Sequence, residues 1–157
     1  MAASAHTTAT CLSCRDNAAA ALPPRDRVVR TAHWRAAHAF DAGLLGWLVL
    51  VPTRHVTALD ELAAEEVAEL GPLLRDLSAA LRDVTGCVKT YVMLLAEAEG
   101  FEHVHFHVVP RMADQPAELR GPRVFALLGA SPDRQVPADE MDGVARALQA
   151  ALAAGGR

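Results

Sequence analysis

The stretch His103-Val-His-Phe-His-Val-Val-Pro-Arg111 decides how the rest of the chain is read. Side chains alternate faces along a β-strand, so His103, His105 and His107 share one face while Val104, Phe106 and Val108 share the other. The pattern predicts a strand over 103–111 with imidazole on one side and core on the other. Same-face neighbours sit roughly 7 Å apart, a spacing that surrounds a single phosphoryl group. Imidazole, with an unperturbed pKa near ~6.5, serves around neutral pH as nucleophile, proton donor or proton acceptor. The competing reading is a solvated strand face or an adventitious metal-binding run. Three histidines at strict period two, backed by three apolar residues and closed by Pro110, weigh against it.

This stretch resembles the signature of the histidine-triad (HIT) nucleotide-binding family, His-x-His-x-His followed by two apolar residues, with a common Pro-Arg continuation. The resemblance runs from about Cys11 to about Arg111. Gly46-Trp-Leu-Val-Leu-Val-Pro-Thr-Arg-His55 is similar to a second family segment, Gly-His-x-Leu-Val-Ile-Pro-Lys-x-His, with Trp47 in place of the usual histidine. The resemblance implies that His105 attacks the α-phosphorus of a nucleotide and forms a covalent nucleotidyl-histidine, which water then hydrolyses. It implies that His103 and His107 position phosphate oxygens and that His107 helps protonate the leaving group. A homodimer, joined through the main helix and an edge strand, is implied by resemblance only.

Length and charge set the outer limits. A chain of 157 residues with 52% hydrophobic and 22% charged residues supports one domain with a proper core. The reading divides it into a flexible N-terminus (1–10), a HIT domain (11–111) and a C-terminal extension (112–157) whose terminal helix packs on the same domain. Met1 to Thr10 contain no apolar run, so neither a signal peptide nor a membrane span is expected, which favours the cytoplasm. The net charge of −4 argues against a nucleic-acid polymer as partner. A small purine nucleotide or nucleotide conjugate remains compatible.

Three cysteines without a secretion signal do not form a disulfide framework. Cys11 and Cys14 make a lone CxxC, which alone reads as a redox pair, a zinc half-site or coincidence. With His55 and His103 they complete a Cys2His2 set, the donors of a structural tetrahedral zinc site. The resemblance supports zinc, since many bacterial family members hold it with such a set. The alternative is a reduced CxxC in a loose arm, with His55 satisfied by a backbone carbonyl. If zinc is bound, His103 becomes structural and the chemistry narrows to His105 and His107. Cys87 reads as a buried small residue.

The coarse organisation is α+β: a five-stranded antiparallel meander with one main helix. A short helix is expected over Asn17–Leu22, strands over 27–30, 32–40, 47–51 and 90–95, and an amphipathic helix over about 60–84. That helix carries an apolar stripe of Val67, Leu70, Leu74, Leu77, Leu81 and Val84. Pro72 predicts a kink or break after Leu70, and a final helix opens near Pro137 and Asp139.

Phe40-Asp41 stands where the family commonly places a ribose-binding carboxylate, so Phe40 and Asp41 are candidate nucleotide contacts; the other reading of Asp41 is a turn residue before Gly43. Arg111 is a candidate for distal phosphates, against a plain solvent-facing arginine. Trp47 reads as core or pocket wall. The main departure is Glu97-Ala-Glu-Gly-Phe-Glu102, which stands where the family usually has phosphate-facing donors. Carboxylates there oppose a phosphate, so a non-catalytic zinc-containing nucleotide-binding protein is the alternative. A cupin-like His-x-His metalloenzyme is disfavoured by the helix over 60–84.

Overall fold

The computed structural model describes residues 10–155, so the expectation for the first nine residues lies outside it. Five strands form one antiparallel sheet in the order β1-β2-β3-β5-β4: β1 (Val29–Arg30), β2 (Trp34–His38), β3 (Leu48–Pro52), β4 (Lys89–Leu94) and β5 (Phe106–Arg111). Three helices accompany them, α1 (Leu12–Ala18), α2 (Ala64–Thr85) and α3 (Ala138–Gly155). Among the described residues no helix is long and apolar enough to cross a membrane.

The expected meander is interrupted at α2. After that helix the chain makes β4 as an edge and returns as β5 between β4 and β3, so the strand carrying His107 is central. A central strand needs two apolar faces, and Phe106, Val108 and Val109 are all buried.

One sheet face is covered by α2 and α3. Trp34, Leu48, Leu50 and Val108 meet Leu77, Leu81 and Leu148 there, all fully buried. Each such leucine contributes about 1.5–3 kcal/mol through burial. Glu66 anchors the start of α2: its carboxylate accepts from the Ala63 N–H (2.7 Å) and pairs with Arg54 (2.8 Å). The Trp34 indole donates to the Glu66 carbonyl at 3.0 Å.

Three local expectations need correction. The first helix begins at Leu12 rather than Asn17, because the Cys11 sulfur caps it by accepting from the Cys14 N–H (3.5 Å). α2 starts at Ala64, after a 3-10 turn at Leu59–Glu61, and runs through Pro72 without a break. Gly71 and Pro72 sit on its exposed side, where the missing hydrogen bond faces water, and the buried face on Leu73, Leu77 and Leu81 keeps the helix docked. Val67, expected in the apolar stripe, is 53% exposed, and Leu73 takes its place in the core.

The opposite sheet face is only partly covered. Trp47, Val109 and Val124 form a second cluster there, joined by Phe125 and Leu128 from the segment after β5. That segment is tied down by backbone bonds from Gly43 N–H to the Leu127 carbonyl (2.8 Å) and from Val136 N–H to the Ala42 carbonyl (2.9 Å). Gly46 turns the chain into β3 with φ +87°, and an added Cβ would lie 3.2 Å from Thr85 and 3.3 Å from Leu81, so neither backbone nor space admits a side chain. Its N–H donates to the Nε2 of His38 (2.9 Å), while His38 Nδ1–H donates to the Ala39 carbonyl (2.8 Å). His38 is thereby a neutral, fully satisfied core residue.

Candidate active site and metal centre

The uncovered part of this second face is a cavity of about 700 Å³, lined among others by Ala37, Phe40, Asp41, Val49, Glu97, His105, His107 and Phe125. The histidine run enters it in two pieces. Regular strand begins only at Phe106, so His103 and His105 lie on irregular chain, contrary to the expected strand over 103–111. The physical reason is Pro52, at the end of β3. It has no N–H for the ladder, and its carbonyl accepts instead from His103 Nε2 (3.1 Å) and Asn17 Nδ2 (2.9 Å). The alternation itself persists, with Val104, Phe106 and Val108 buried in the helix-side core.

His103 faces away from the cavity, towards the cysteines. Its Nδ1 lies 3.4 Å from Cys11 Sγ and 3.6 Å from Cys14 Sγ, and His55 Nδ1 lies 3.2 Å from Cys14 Sγ. One ligand atom from each of Cys11, Cys14, His55 and His103 lies within 4.8 Å of the others. Zinc bonds of about 2.3 Å to sulfur and about 2.0 Å to nitrogen give tetrahedral ligand-to-ligand edges of roughly 3.3–3.8 Å, so the cluster has nearly the required dimensions. The outer shell also fits. His103 Nε2–H donates to the Pro52 carbonyl, which leaves the Nδ1 lone pair aimed at the sulfurs. Burial, followed by the Cys11 hydrogen bond and charge, pushes the Cys14 thiol up to about 11. Burial, then neighbouring His55, pulls His103 down to about 4, so its ring is neutral. Packed sulfurs and the neutral His103 ring, with His55 beside them, are what a divalent cation satisfies, and the cluster suggests zinc.

The other two histidines face the cavity with their rings 4.9 Å apart. His105 Nδ1 lies 2.8 Å from the His103 carbonyl. A carbonyl only accepts, so the proton is on Nδ1 and the Nε2 lone pair is left for chemistry. For His107 the partner is reversed: the Trp47 indole N–H donates to its Nδ1 at 3.0 Å. Indole only donates, so a neutral His107 carries its proton on Nε2. Burial, then His105, pulls His107 down to about 4. Phe125 packs edge-on against it with centroids 4.9 Å apart. The two rings therefore offer complementary functions side by side, a lone pair on His105 and an N–H on His107.

The remaining candidates fall as follows. Phe40 is 57% exposed at the cavity edge and stacks on Phe101 with centroids 6.3 Å apart. Asp41 lines the cavity and is also a turn residue, one carboxylate oxygen accepting from the Gly129 N–H (3.1 Å). Arg111 pairs with Lys89 at the far end of β5, and its guanidinium contacts the Met112 carbonyl (3.4 Å); it does not line the cavity. Glu97 and Glu99 are both exposed, and of the two only Glu97 lines it. Sequence reading missed Arg35, Asp16 and Phe125 as cavity residues. The signal for Arg35 was a charged residue in a strand otherwise made of Trp, Ala and His, at the same parity as Ala37 and Ala39.

A HIT domain family model matches residues 23–114, more than half of the 157 residues. Among solved structures, a zinc-bound histidine triad family protein from Mycobacterium smegmatis is similar with a TM-score of 0.68 and 20% identity, over 94% of this chain and 96% of that one. A histidine triad protein from Bradyrhizobium japonicum has a TM-score of 0.66 and 22% identity, over 80% of this chain and 89% of that one. A hypothetical histidine triad nucleotide-binding protein from Sulfolobus tokodaii has a TM-score of 0.59 and 15% identity, over 81% and 83%. No curated protein sequence matches the chain. At these identities the structural likenesses speak for the fold, and the family match speaks for descent. The chain belongs to the HIT domain family.

Proposed function

We propose that this protein binds a nucleotide in the cavity and cleaves a phosphoanhydride or phosphoramidate bond at the α-phosphate, releasing a nucleoside monophosphate such as AMP. The observation that carries this reading is the pairing of tautomers at His105 and His107. The His105 Nε2 lone pair attacks the α-phosphorus, forming a P–N bond as the bond to the leaving group breaks. The leaving group departs hydrogen-bonded to His107 Nε2–H, which stabilises the charge it gains, and takes its proton from solvent. Water then attacks the nucleotidyl-histidine and releases its proton to solvent, and the P–N bond returns its electrons to His105. Asp41 accepts from the ribose hydroxyls and Phe40 borders the site. Arg111 is left out of this reading because it does not line the cavity.

Cys11, Cys14, His55 and His103 hold a structural zinc in this proposal. A bound zinc fixes the irregular chain that leads into His105, so metal and nucleophile are mechanically connected. A homodimer is also proposed, through β4, an edge strand with Val92 at 44% exposure and Val88, just before it, at 42%. The cytoplasm is the proposed compartment, consistent with three free cysteines.

The test is release of nucleoside monophosphate from adenosine and guanosine phosphoramidates and the matching dinucleoside polyphosphates, with wild type beside His105→Ala. Release that disappears in the variant supports the covalent route. Binding without release in the wild type overturns it in favour of a binding protein, the reading that Glu97 in the cavity wall would favour.

A further inference from the structure

The cavity extends well beyond the two histidines. At its other end stands Arg35, only 4% exposed. A buried guanidinium is held at a cost unless its donors are used. Two of its three nitrogens are: Nε donates to Asn17 Oδ1 (2.8 Å) and Nη1 to the Asp26 carbonyl (2.8 Å). Asn17 is itself pinned on the Pro52 carbonyl (2.9 Å), so the guanidinium is rigidly placed. Among the described residues Arg35 forms no ion pair. Its Nη2 has no protein acceptor and is not sealed off, since Gln115 Oε1 is the buried side-chain atom left unpartnered among them. Arg35 lines the cavity, and Nη2 is its unused donor there.

Asp16 and Asp26 line the same end. One Asp16 oxygen is held by Arg15 Nε (3.1 Å), which leaves the other as an acceptor. Asp16 and Asp26 offset the guanidiniums of Arg15 and Arg35, so this end carries no excess positive charge and is unsuited to a second phosphate. Its donor and acceptor line one cavity and suit a neutral group that presents both.

The sheet register sets the distance. Arg35 pairs with Val51, and Val49, two residues along the same strand, pairs with His107. Arg35 therefore stands two strand spacings across and one two-residue step along from His107, roughly 12 Å. That is the span of one nucleoside, with phosphate at the histidines and the base edge at Arg35. Ala37, Val49 and Val51 make a flat apolar floor between the two ends.

We infer that Arg35 and Asp16 form a base-reading subsite that selects a 6-oxopurine, guanine or hypoxanthine, over adenine. This rests on the reading of the cavity as a nucleotide site. Guanidinium only donates and carboxylate only accepts. The lactam edge of a 6-oxopurine offers O6 to Arg35 and N1–H to Asp16. Adenine carries an amino donor where the carbonyl would be and so sets donor against donor. The pairing follows the same logic as arginine reading guanine O6 in nucleic acids.

Calorimetric titration of the full chain with GMP, IMP and AMP tests this. GMP and IMP are expected to bind about 10- to 100-fold more tightly than AMP. Arg35→Met and Asp16→Asn are each expected to bring the GMP-to-AMP ratio to within about threefold, with thermal unfolding checking that each variant is folded. Asp16 is partly solvent-exposed, so its variant tests the idea even if Arg35→Met does not fold. AMP binding as tightly as GMP in the wild type overturns the inference, as does a preference that survives in Asp16→Asn. Failure of all three nucleotides to bind overturns the nucleotide reading itself, a separate result from binding without preference.

Discussion

Replacing Trp47 by phenylalanine removes one donor from the wall of the cavity and leaves an aromatic ring in place. Trp47 is fully buried and His107 is 7% exposed, so no bulk water reaches the His107 Nδ1 that loses its partner. An unsatisfied buried acceptor costs about 1–3 kcal/mol, which is a factor of roughly 5 to 150 in an equilibrium. His107 escapes that cost by moving its proton from Nε2 to Nδ1, or by rotating, and either change removes the Nε2–H from the cavity. Catalysis should fall by about 100- to 1,000-fold, the range for losing a single positioned hydrogen-bond donor, with the loss in kcat rather than KM. Long-range proton–nitrogen NMR of the histidine rings reads the tautomer directly. His107 should be protonated at Nε2 in the wild type and at Nδ1, or in a mixture, in Trp47→Phe. A wild-type His107 protonated at Nδ1 would refute the reasoning at its root. An unchanged tautomer together with unchanged kcat would refute the role given to Trp47.

Metal analysis of the purified protein should find about one zinc per chain; Cys14→Ser should lose it and melt several degrees lower, and an unchanged melting temperature after chelation would speak against a structural ion. Stability should decline with acid before the carboxylates titrate. His107 is held at about 4 against an ordinary 6.5, and His38 is also lowered by burial. In both the folded state disfavours the proton; the His107 contribution, roughly 3 kcal/mol, is complete above pH 6.5 and is lost as pH falls towards 4, and His38 acts in the same direction. Urea unfolding at pH 7.5 and pH 5 checks this, and equal midpoints would contradict it. Gly71→Ala should stabilise the protein by about 1 kcal/mol, because Gly71 is exposed in α2 and an added Cβ meets nothing within 4 Å; a denaturation midpoint that does not rise would show that α2 tolerates the glycine for another reason.

Much of this protein was legible in one dimension. The alternation of His and apolar residues from 103 to 108 assigns the core face of that stretch, because period two depends only on local backbone geometry. The apolar spacing of 70–84 located the main helix, and the CxxC with two histidines defined a metal-ligand set that the fold gathers within 4.8 Å. Pattern also misled where packing overrides propensity: Pro72 lies in an unbroken helix, and Val67, in phase with the stripe, faces water. What tertiary structure alone decided was partnership across the chain. Trp47 and His107 are 60 residues apart in sequence and hydrogen-bonded in space, and their pairing settles which nitrogen of His107 carries the proton. Phe125 reaches the same ring from a segment with no periodicity to announce it. Arg35 drew no notice in the sequence, and only the path of α1 and the register of β2 against β3 make it a buried cation lining a cavity. Periodicity is set by neighbours along the backbone, whereas a tautomer or an open donor is set by whichever distant group the fold places within hydrogen-bonding distance.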